Sequence, residues 1–330
     1  MWRVEEHGCA TALDSLADEW RRLELSCRGA TPFQSSEWLI PWWHCFAHDD
    51  LRVITVRRDD ALCAVLPLIV ESKPAGKRVT LLGTGNTDHL DILADDRCRD
   101  AATVIALDAV ASTLEPRDWC EFEQLPGWSP LLSAPAPPEW CWECEQCDVC
   151  PVLTVSARDR DPLPPRRSAE ARRSRGRLDR QGCCTIELVR HDTLDDALSA
   201  LFELHQARWH ARSDPGVLGD GAVRRFLRCI AQGFLDRGML RVHVLRLDDR
   251  IVGVNLGFQR GVRRFFYIAG FDPTLKSFSI GTVLLEHAIR EAVSEGAGEI
   301  DFLRGSESYK YHWGACDQPS YRRTLRAESA

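Results

Sequence analysis

What the chain lacks narrows it first. No window approaches the ~18 uncharged apolar residues that a membrane span requires, and the opening Met1-Trp2-Arg3-Val4-Glu5-Glu6-His7 holds no apolar leader. A cytoplasmic location is the expectation. Lysine is nearly missing: Lys73, Lys77, Lys276 and Lys310 are the only four among 42 basic residues. The arginine excess, with abundant alanine, points to a GC-rich bacterial genome. Cysteine is plentiful at 14 residues, but without an export signal the thiols are expected to stay reduced and mostly to serve as small buried hydrophobes.

What is present is the composition of a globular chain, 44% hydrophobic and 28% charged over 330 residues. That length exceeds the roughly 100 to 200 residues of one domain, which favours two. Charge is uneven. Residues 1–160 carry 15 basic against 27 acidic side chains, whereas 161–330 carry 27 against 22. The second half is the better host for an anionic ligand. Pro162, Pro164 and Pro165 break regular structure just before an arginine-rich helical stretch, which places the expected boundary between units 1–160 and 161–330.

Periodicity predicts helices over Cys9–Cys27, Ser35–Phe46 and Arg99–Leu114, and strands over Leu51–Arg57, Ala61–Ile69, Arg78–Leu82, Leu90–Leu93 and Cys120–Leu125. Downstream it predicts a strand at Cys184–Val189 and helices at Leu194–Arg212 and Ala222–Asp236. Strands at Met239–Leu247, Ile251–Gln259 and Arg263–Phe271 follow, joined by hairpins at Asp248-Asp249 and Arg260-Gly261. A helix at Gly281–Ser294 and strands at Glu299–Leu303 and Tyr321–Arg326 complete the order. This is an α/β pattern with a mixed sheet, in the order of the GNAT acyltransferase fold. The first half repeats it loosely, as expected of two tandem GNAT-like units.

Particular segments carry a closer resemblance. Leu201-Phe202-Glu203-Leu204-His205-Gln206-Ala207-Arg208-Trp209, Gly270-Phe271-Asp272-Pro273, Ser279-Ile280-Gly281-Thr282-Val283-Leu284-Leu285 and Asp301-Phe302-Leu303-Arg304-Gly305-Ser306-Glu307-Ser308-Tyr309-Lys310 resemble the CelD/BcsL-type acetyltransferases. So do Pro32-Phe33-Gln34-Ser35, Trp38, Trp42-Trp43 and Leu81 through Asp91. That family belongs to the GNAT superfamily and is related to the Fem-type peptidyltransferases. The resemblance implies acyl transfer from a thioester, acetyl-CoA or another acyl-CoA, to an amine or hydroxyl of a small-molecule, glycan or peptide acceptor, often in exopolysaccharide or cell-envelope synthesis. One departure bears on the donor: the superfamily's glycine-rich pyrophosphate loop is reduced here to Ser279-Ile280-Gly281-Thr282, which leaves an aminoacyl-tRNA donor, as in the Fem branch, as the alternative.

Chemistry assigns expected places to single residues. Helix N-termini attract phosphate through unpaired N–H groups, so Ser279, Gly281, Thr282 and nearby Lys276 are the expected CoA contacts. Acyl transfer needs a proton acceptor for the nucleophile and a donor for the departing thiolate. Glu307, Tyr309 and Asp301 can supply these, with Arg304 and Lys310 holding anionic groups. In the first half Asp88 can add a base, and His89 and Asp91 can orient an acceptor across the domain interface. Arg208 shares a helix face with His205 and Trp209 and is expected to reach the cleft, while His205 reads as structural.

Two other motifs define a rival from a different class, a metal- or nucleic-acid-binding protein. Cys141, Cys144, Cys147 and Cys150 are spaced as in an iron–sulfur or zinc run, yet the final gap is one residue short of the ferredoxin pattern and no second cysteine pair stands apart. No metal is expected, and the run reads as a loop of free thiols entering a strand at Val152. Arg166 to Arg180 can hold phosphates, but such a run is usually a solvated helix face, and nucleic acid is not the expected partner.

Overall fold

The computed structural model describes residues 1–46, 50–156, 163–210 and 216–328. The junction expected at 160/161 lies outside them, as do residues 211 and 212, where the helix expected from Leu194 would end. The chain forms two compact units, Met1–Val149 with Gln318–Ala330, and Cys150–Asp317. The chain therefore passes from one unit to the other at 149/150 and again at 317/318, so neither 1–160 nor 161–330 corresponds to a unit.

The first unit contains β1 (Trp2–His7), α1 (Ala10–Ser15), α2 (Ala17–Leu25), α3 (Ser36–Phe46), β2 (Asp50–Arg58), β3 (Ala61–Lys73), β4 (Gly76–Leu81), β5 (Leu93–Ala94), α4 (Arg99–Ala111), β6 (Trp119–Pro126), α5 (Pro130–Ser133) and most of β7 (Trp140–Thr154). The single helix expected over Cys9–Cys27 is broken at Leu16, which caps α1 and starts α2. Of the strand expected over Leu90–Leu93, only Leu93 enters β5, which adds to β3. The spacing of Ala102, Ala106, Leu107 and Val110 puts small buried residues on one face of α4, which lies against β2 and β3.

The second unit contains α6 (Pro165–Leu178), β8 (Cys184–Leu188), α7 (Leu194–His210), α8 (Gly221–Asp236), β9 (Leu240–Leu247), β10 (Arg250–Arg260), β11 (Arg263–Phe271), α9 (Ile280–Ser294), β12 (Glu299–Asp301), α10 (Ser308–His312) and the start of β13 (Cys316–Ala327). Its sheet runs β8-β9-β10-β11-β12-β7, where β7 contributes Val152–Thr154, and only β11 and β12 are parallel. The first unit's sheet runs β1-β2-β3-β4-β6-β13, and only β4 and β6 are parallel. The two orders match strand for strand.

The sixth strand of the first sheet comes from the far end of the chain, whereas that of the second, Val152–Thr154 of β7, opens its own unit. Residues of β13 pair with β6, with Leu325 opposite Cys120 and fully buried, although sequence order alone groups this last strand with the second unit. Arg323 anchors it by donating to the carbonyls of Leu131 (2.6 Å) and Ala134 (2.8 Å), its guanidinium 4.2 Å from the Trp142 ring.

Glycines let helices approach the second sheet closely. A Cβ at Gly270 would lie 2.9 Å from the backbone of Leu201 and His205 on α7. One at Gly253 would lie 2.7 Å from Ile280 on α9. Successive residues of a strand face opposite ways, so α7, against Gly270, and α9, against Phe271, cover opposite faces of β11.

Candidate active site

In the second unit, β11 and β12 pair over only three residues, Arg263 to Phe265 with Glu299 to Asp301. β11 then runs on to Phe271 while β12 stops, two residues short of the strand expected to reach Leu303. The register with β10 slips at the same place: Leu256 faces Ile268 but Gly257 faces Phe266, leaving Tyr267 as an extra residue. Gly257 permits this bulge, because a Cβ there would lie 2.2 Å from the Phe265 carbonyl oxygen. Bulges of this kind end pairing and re-aim side chains. The result is a wedge between the last half of β11, whose Tyr267, Ile268 and Ala269 are only half-buried, and the segment after Asp301.

Helix α9 starts at the outer end of β11. Ser279 sits in the left-handed region at φ 50° and makes no side-chain cap bond. The N–H groups of Thr282 and Val283 already donate to the Ser279 carbonyl, so the donors of the first turn left outside the helix ladder are those of Ile280 and Gly281. Phe271 packs against Gly281, where a Cβ would be 3.0 Å from the ring, and the Arg208 guanidinium lies 5.7 Å from the centre of the same ring. Lys276 is exposed on the 3-10 helix Pro273–Phe278, which Asp272 caps by accepting from the Thr274 N–H at 2.8 Å. The Gly270-Phe271-Asp272-Pro273 signature thus codes a close helix approach, a ring under the helix start and a capped turn.

The other wall is the turn after β12. Asp301 is buried and accepts the Leu303 N–H at 2.7 Å, which shapes the turn. Leu303 has φ 58° and Gly305 φ 107°. Lys310, expected to grip an anionic ligand, is 2% exposed and donates to the carbonyls of Leu303 (2.9 Å), Arg304 (2.8 Å) and Gly305 (2.9 Å), with the Glu307 carboxylate also at 2.9 Å. An ammonium has three protons, and all are committed inside the protein. Glu307 is exposed. Tyr309 is 46% exposed, with its ring edge-on to Phe302, and its phenol is pushed up to about 12 by loss of solvent and by the Glu307 carboxylate, with Arg208 pulling the other way. It holds its proton at neutral pH. Arg208, Tyr309 and Glu307 therefore form one electrostatic group beside the α9 start, and Arg304 is half-buried on the same turn.

His205 is buried, accepts from the Trp209 indole at 2.9 Å and is held near 4 by burial and by Arg208, so it is neutral at physiological pH. It packs α7 rather than carrying a proton.

The remaining expected residues lie in the first unit. The segment 83–91 is pinned there: Thr87 accepts from the Trp38 indole at 3.0 Å, Asn86 from Trp42, and the His89 carbonyl from Gln34. Asp88 and His89 are both buried, and His89 has φ 49°. Asp91 accepts from Ser129 at 2.7 Å and from the Ile92 N–H at 2.9 Å. Burial pushes Asp91 up to about 7 against those bonds and Arg99. It borders a small cavity of about 30 Å³ with Gln34, Arg99 and Trp128.

The cysteine run is a strand, not a loop, since β7 finds its partner in the distant β13. Residues three apart on a strand face opposite ways, so Cys141 and Cys147 share one face and Cys144 and Cys150 the other. The four thiols cannot gather round one ion. Among the described residues no group of three or more His, Cys, Asp or Glu is arranged to hold a metal. The arginine run forms α6, where Arg167 pairs with Glu170 and lies over Trp313, Arg175 pairs with Asp179, and Arg177 lies over Phe278.

The bulge and Phe271 are the site features that periodicity alone misses. Their available signal was the pair Gly253 and Gly257 inside an otherwise bulky strand.

Residues 165–311 match the family model described as an acetyltransferase (GNAT) domain. That stretch of the second unit is thus similar to a GNAT acetyltransferase domain, on the mixed α/β, GNAT-like fold expected. FemX is similar in structure, with TM-score 0.63, 11% identity and 96% of each chain covered. So are the C-terminal domain of a putative lysylphosphatidylglycerol synthetase from Agrobacterium fabrum (TM-score 0.60, 12% identity, 94% of this chain and 92% of that one) and L-PGS from Bacillus licheniformis (0.60, 11%, 95% and 92%). At these identities the likeness is one of fold. No curated protein matches the chain. Among the described residues no helix is long and apolar enough to cross a membrane.

Proposed function

We propose that this chain is an acyltransferase of the CelD/BcsL kind, which moves an acyl group from acyl-CoA, acetyl-CoA in the first instance, to an amine or hydroxyl acceptor in bacterial exopolysaccharide or envelope synthesis. The observation that carries this reading is the wedge where β11 bulges at Tyr267 and parts from β12. An extended strand edge accepts the amide-bearing arm of coenzyme A by backbone hydrogen bonds. The Ile280 and Gly281 N–H groups with the Ser279 and Thr282 hydroxyls suit its diphosphate, and Lys276 and Arg208 add charge nearby. The thioester supplies an activated carbonyl.

Glu307 then takes a proton from the attacking acceptor, directly or through water, and Tyr309 hydrogen-bonds the departing sulfur. A phenol raised to about 12 suits donation of a hydrogen bond and not proton abstraction. Asp301 shapes the turn that carries both. In the first unit, Asp88, His89 and Asp91 are buried within that unit and are given no part in this step.

A second reading, an aminoacyl-tRNA donor, is favoured by one observation: a 3-10 helix, Pro273–Phe278, leads into α9 in place of a glycine-rich loop. The full chain incubated with acetyl-CoA and a panel of amine, glycan and peptide acceptors tests the choice. Free coenzyme A is read by chromatography, because 14 cysteines react with thiol reagents. Acceptor-dependent release of coenzyme A, insensitive to ribonuclease, supports the first reading; transfer from charged tRNA that ribonuclease abolishes supports the second. Failure with both donors overturns acyl transfer.

A further inference from the structure

We propose that Lys310 is a positioning residue: its buried ammonium staples the Leu303–Gly305 turn and the Glu307 carboxylate, and so fixes the wall of the wedge on which Glu307 and Tyr309 stand. This rests on the acyltransferase reading and replaces the ligand-binding role expected from sequence.

An ammonium withdrawn from water is costly unless every proton finds an acceptor. At Lys310 four oxygens from three consecutive carbonyls and one carboxylate surround a group with three protons, all within 2.9 Å. No donor is left for a substrate anion. What the arrangement secures is backbone shape. Leu303 occupies the left-handed region, where a branched side chain is strained, and Gly305 occupies φ 107°, which a side chain rarely tolerates. Such backbone persists only where its surroundings over-determine it. Three carbonyls drawn to one cation do so, and the Asp301 carboxylate, on the Leu303 N–H, holds the same turn from its other end. The turn carries the chain away from β11 and delivers Glu307 and Tyr309 at the start of α10. Glu307 meets Lys310 and Tyr309 on its own element, with Tyr311 close enough to sense its charge, and Arg208 of α7 faces Tyr309.

The test uses the full chain with Lys310→Ala and, in case that variant does not fold by circular dichroism, Lys310→Arg, whose planar fork cannot cap three successive carbonyls. With acetyl-CoA as donor, the expected result is a kcat at least about tenfold lower and a donor KM within about twofold, with kcat partly restored to the alanine variant by added methylammonium or ethylammonium. A rise in donor KM at unchanged kcat would make Lys310 a ligand contact and overturn the proposal. An activity-independent measurement separates this from failure of the acyltransferase reading. The Tyr309 phenol, followed at 295 nm as the difference from Tyr309→Phe, should titrate at lower pH in the alanine variant than in the parent, because the Glu307 carboxylate is no longer held beside it. An unchanged titration in a folded variant also overturns the proposal, whether or not any donor reacts.

Discussion

Asp91 shows how far the fold controls a single charge. Burial carries its carboxyl from an ordinary 3.8 to about 7 despite bonds from Ser129 and Ile92. The folded chain therefore keeps a proton that the unfolded chain releases, and stability falls as pH rises from about 4 to about 7. Asp91→Asn should flatten that fall and leave the protein about 2 kcal/mol or more stabler at pH 8 than the parent, as read by urea unfolding at several pH values. At the α9 start, substitution of Gly281 would mix charge with collision, since any side chain meets the Phe271 ring. Thr282→Asp avoids this. An acidic residue in the first turn suits the helix dipole, so the thermal midpoint should hold, while CoA affinity measured by calorimetry should fall about tenfold through repulsion. Equal affinity would remove the diphosphate assignment. Residue identities were legible in the sequence at this scale, but their roles were not always. Lys310 looked like an anion-holding group and Asp301 like a proton carrier because a sequence lists charges without saying which backbone carbonyls or N–H groups will claim them.

At the scale of elements, the three-strand meander β9-β10-β11 and the helix α9 follow directly from local signals: Asp248-Asp249 and Arg260-Gly261 mark the turns, and apolar periodicity marks the rest. The elements that escaped depend on distant partners. β1 is an edge strand held by β2, and β7 is a strand because β12 and β13 lie beside it. Cysteines at intervals of three drew attention to a metal pattern and away from a fifteen-residue strand. The bulge at Tyr267 was equally hidden, since it is a register slip between two strands. Its sensitivity is testable at Gly257. Gly257→Ala should cost about 3 kcal/mol, since its Cβ would press on the Phe265 carbonyl, and should weaken donor binding more than the same change at exposed Gly261 or Gly296. Thermal unfolding and CoA titration of the three variants measure both effects.

For the whole molecule, two related units could be read from repeated element order, but their limits could not. Length and proline content suggested one crossing near 160, whereas the chain crosses at 149/150 and again at 317/318. A fragment 161–330 would lack the β7 residues that pair with β12 and would carry β13 without β6, exposing unpaired strand edges. It should be recovered mainly as aggregate, while a fragment 150–317 should give a larger soluble fraction with mixed helix and strand content by circular dichroism. Equal solubility of the two would argue against these unit limits.

The late return of β13 to the first unit also sets an order of events on the ribosome. Translation proceeds from the amino end, yet the sheet built from the earliest residues waits for Leu325 to emerge before Cys120 and its neighbours are covered. The half made last can close its own sheet first, with β7 already out of the exit tunnel when β12 arrives. A released chain ending at Asp317 should therefore keep the later half protected from protease and leave the earlier half open to it.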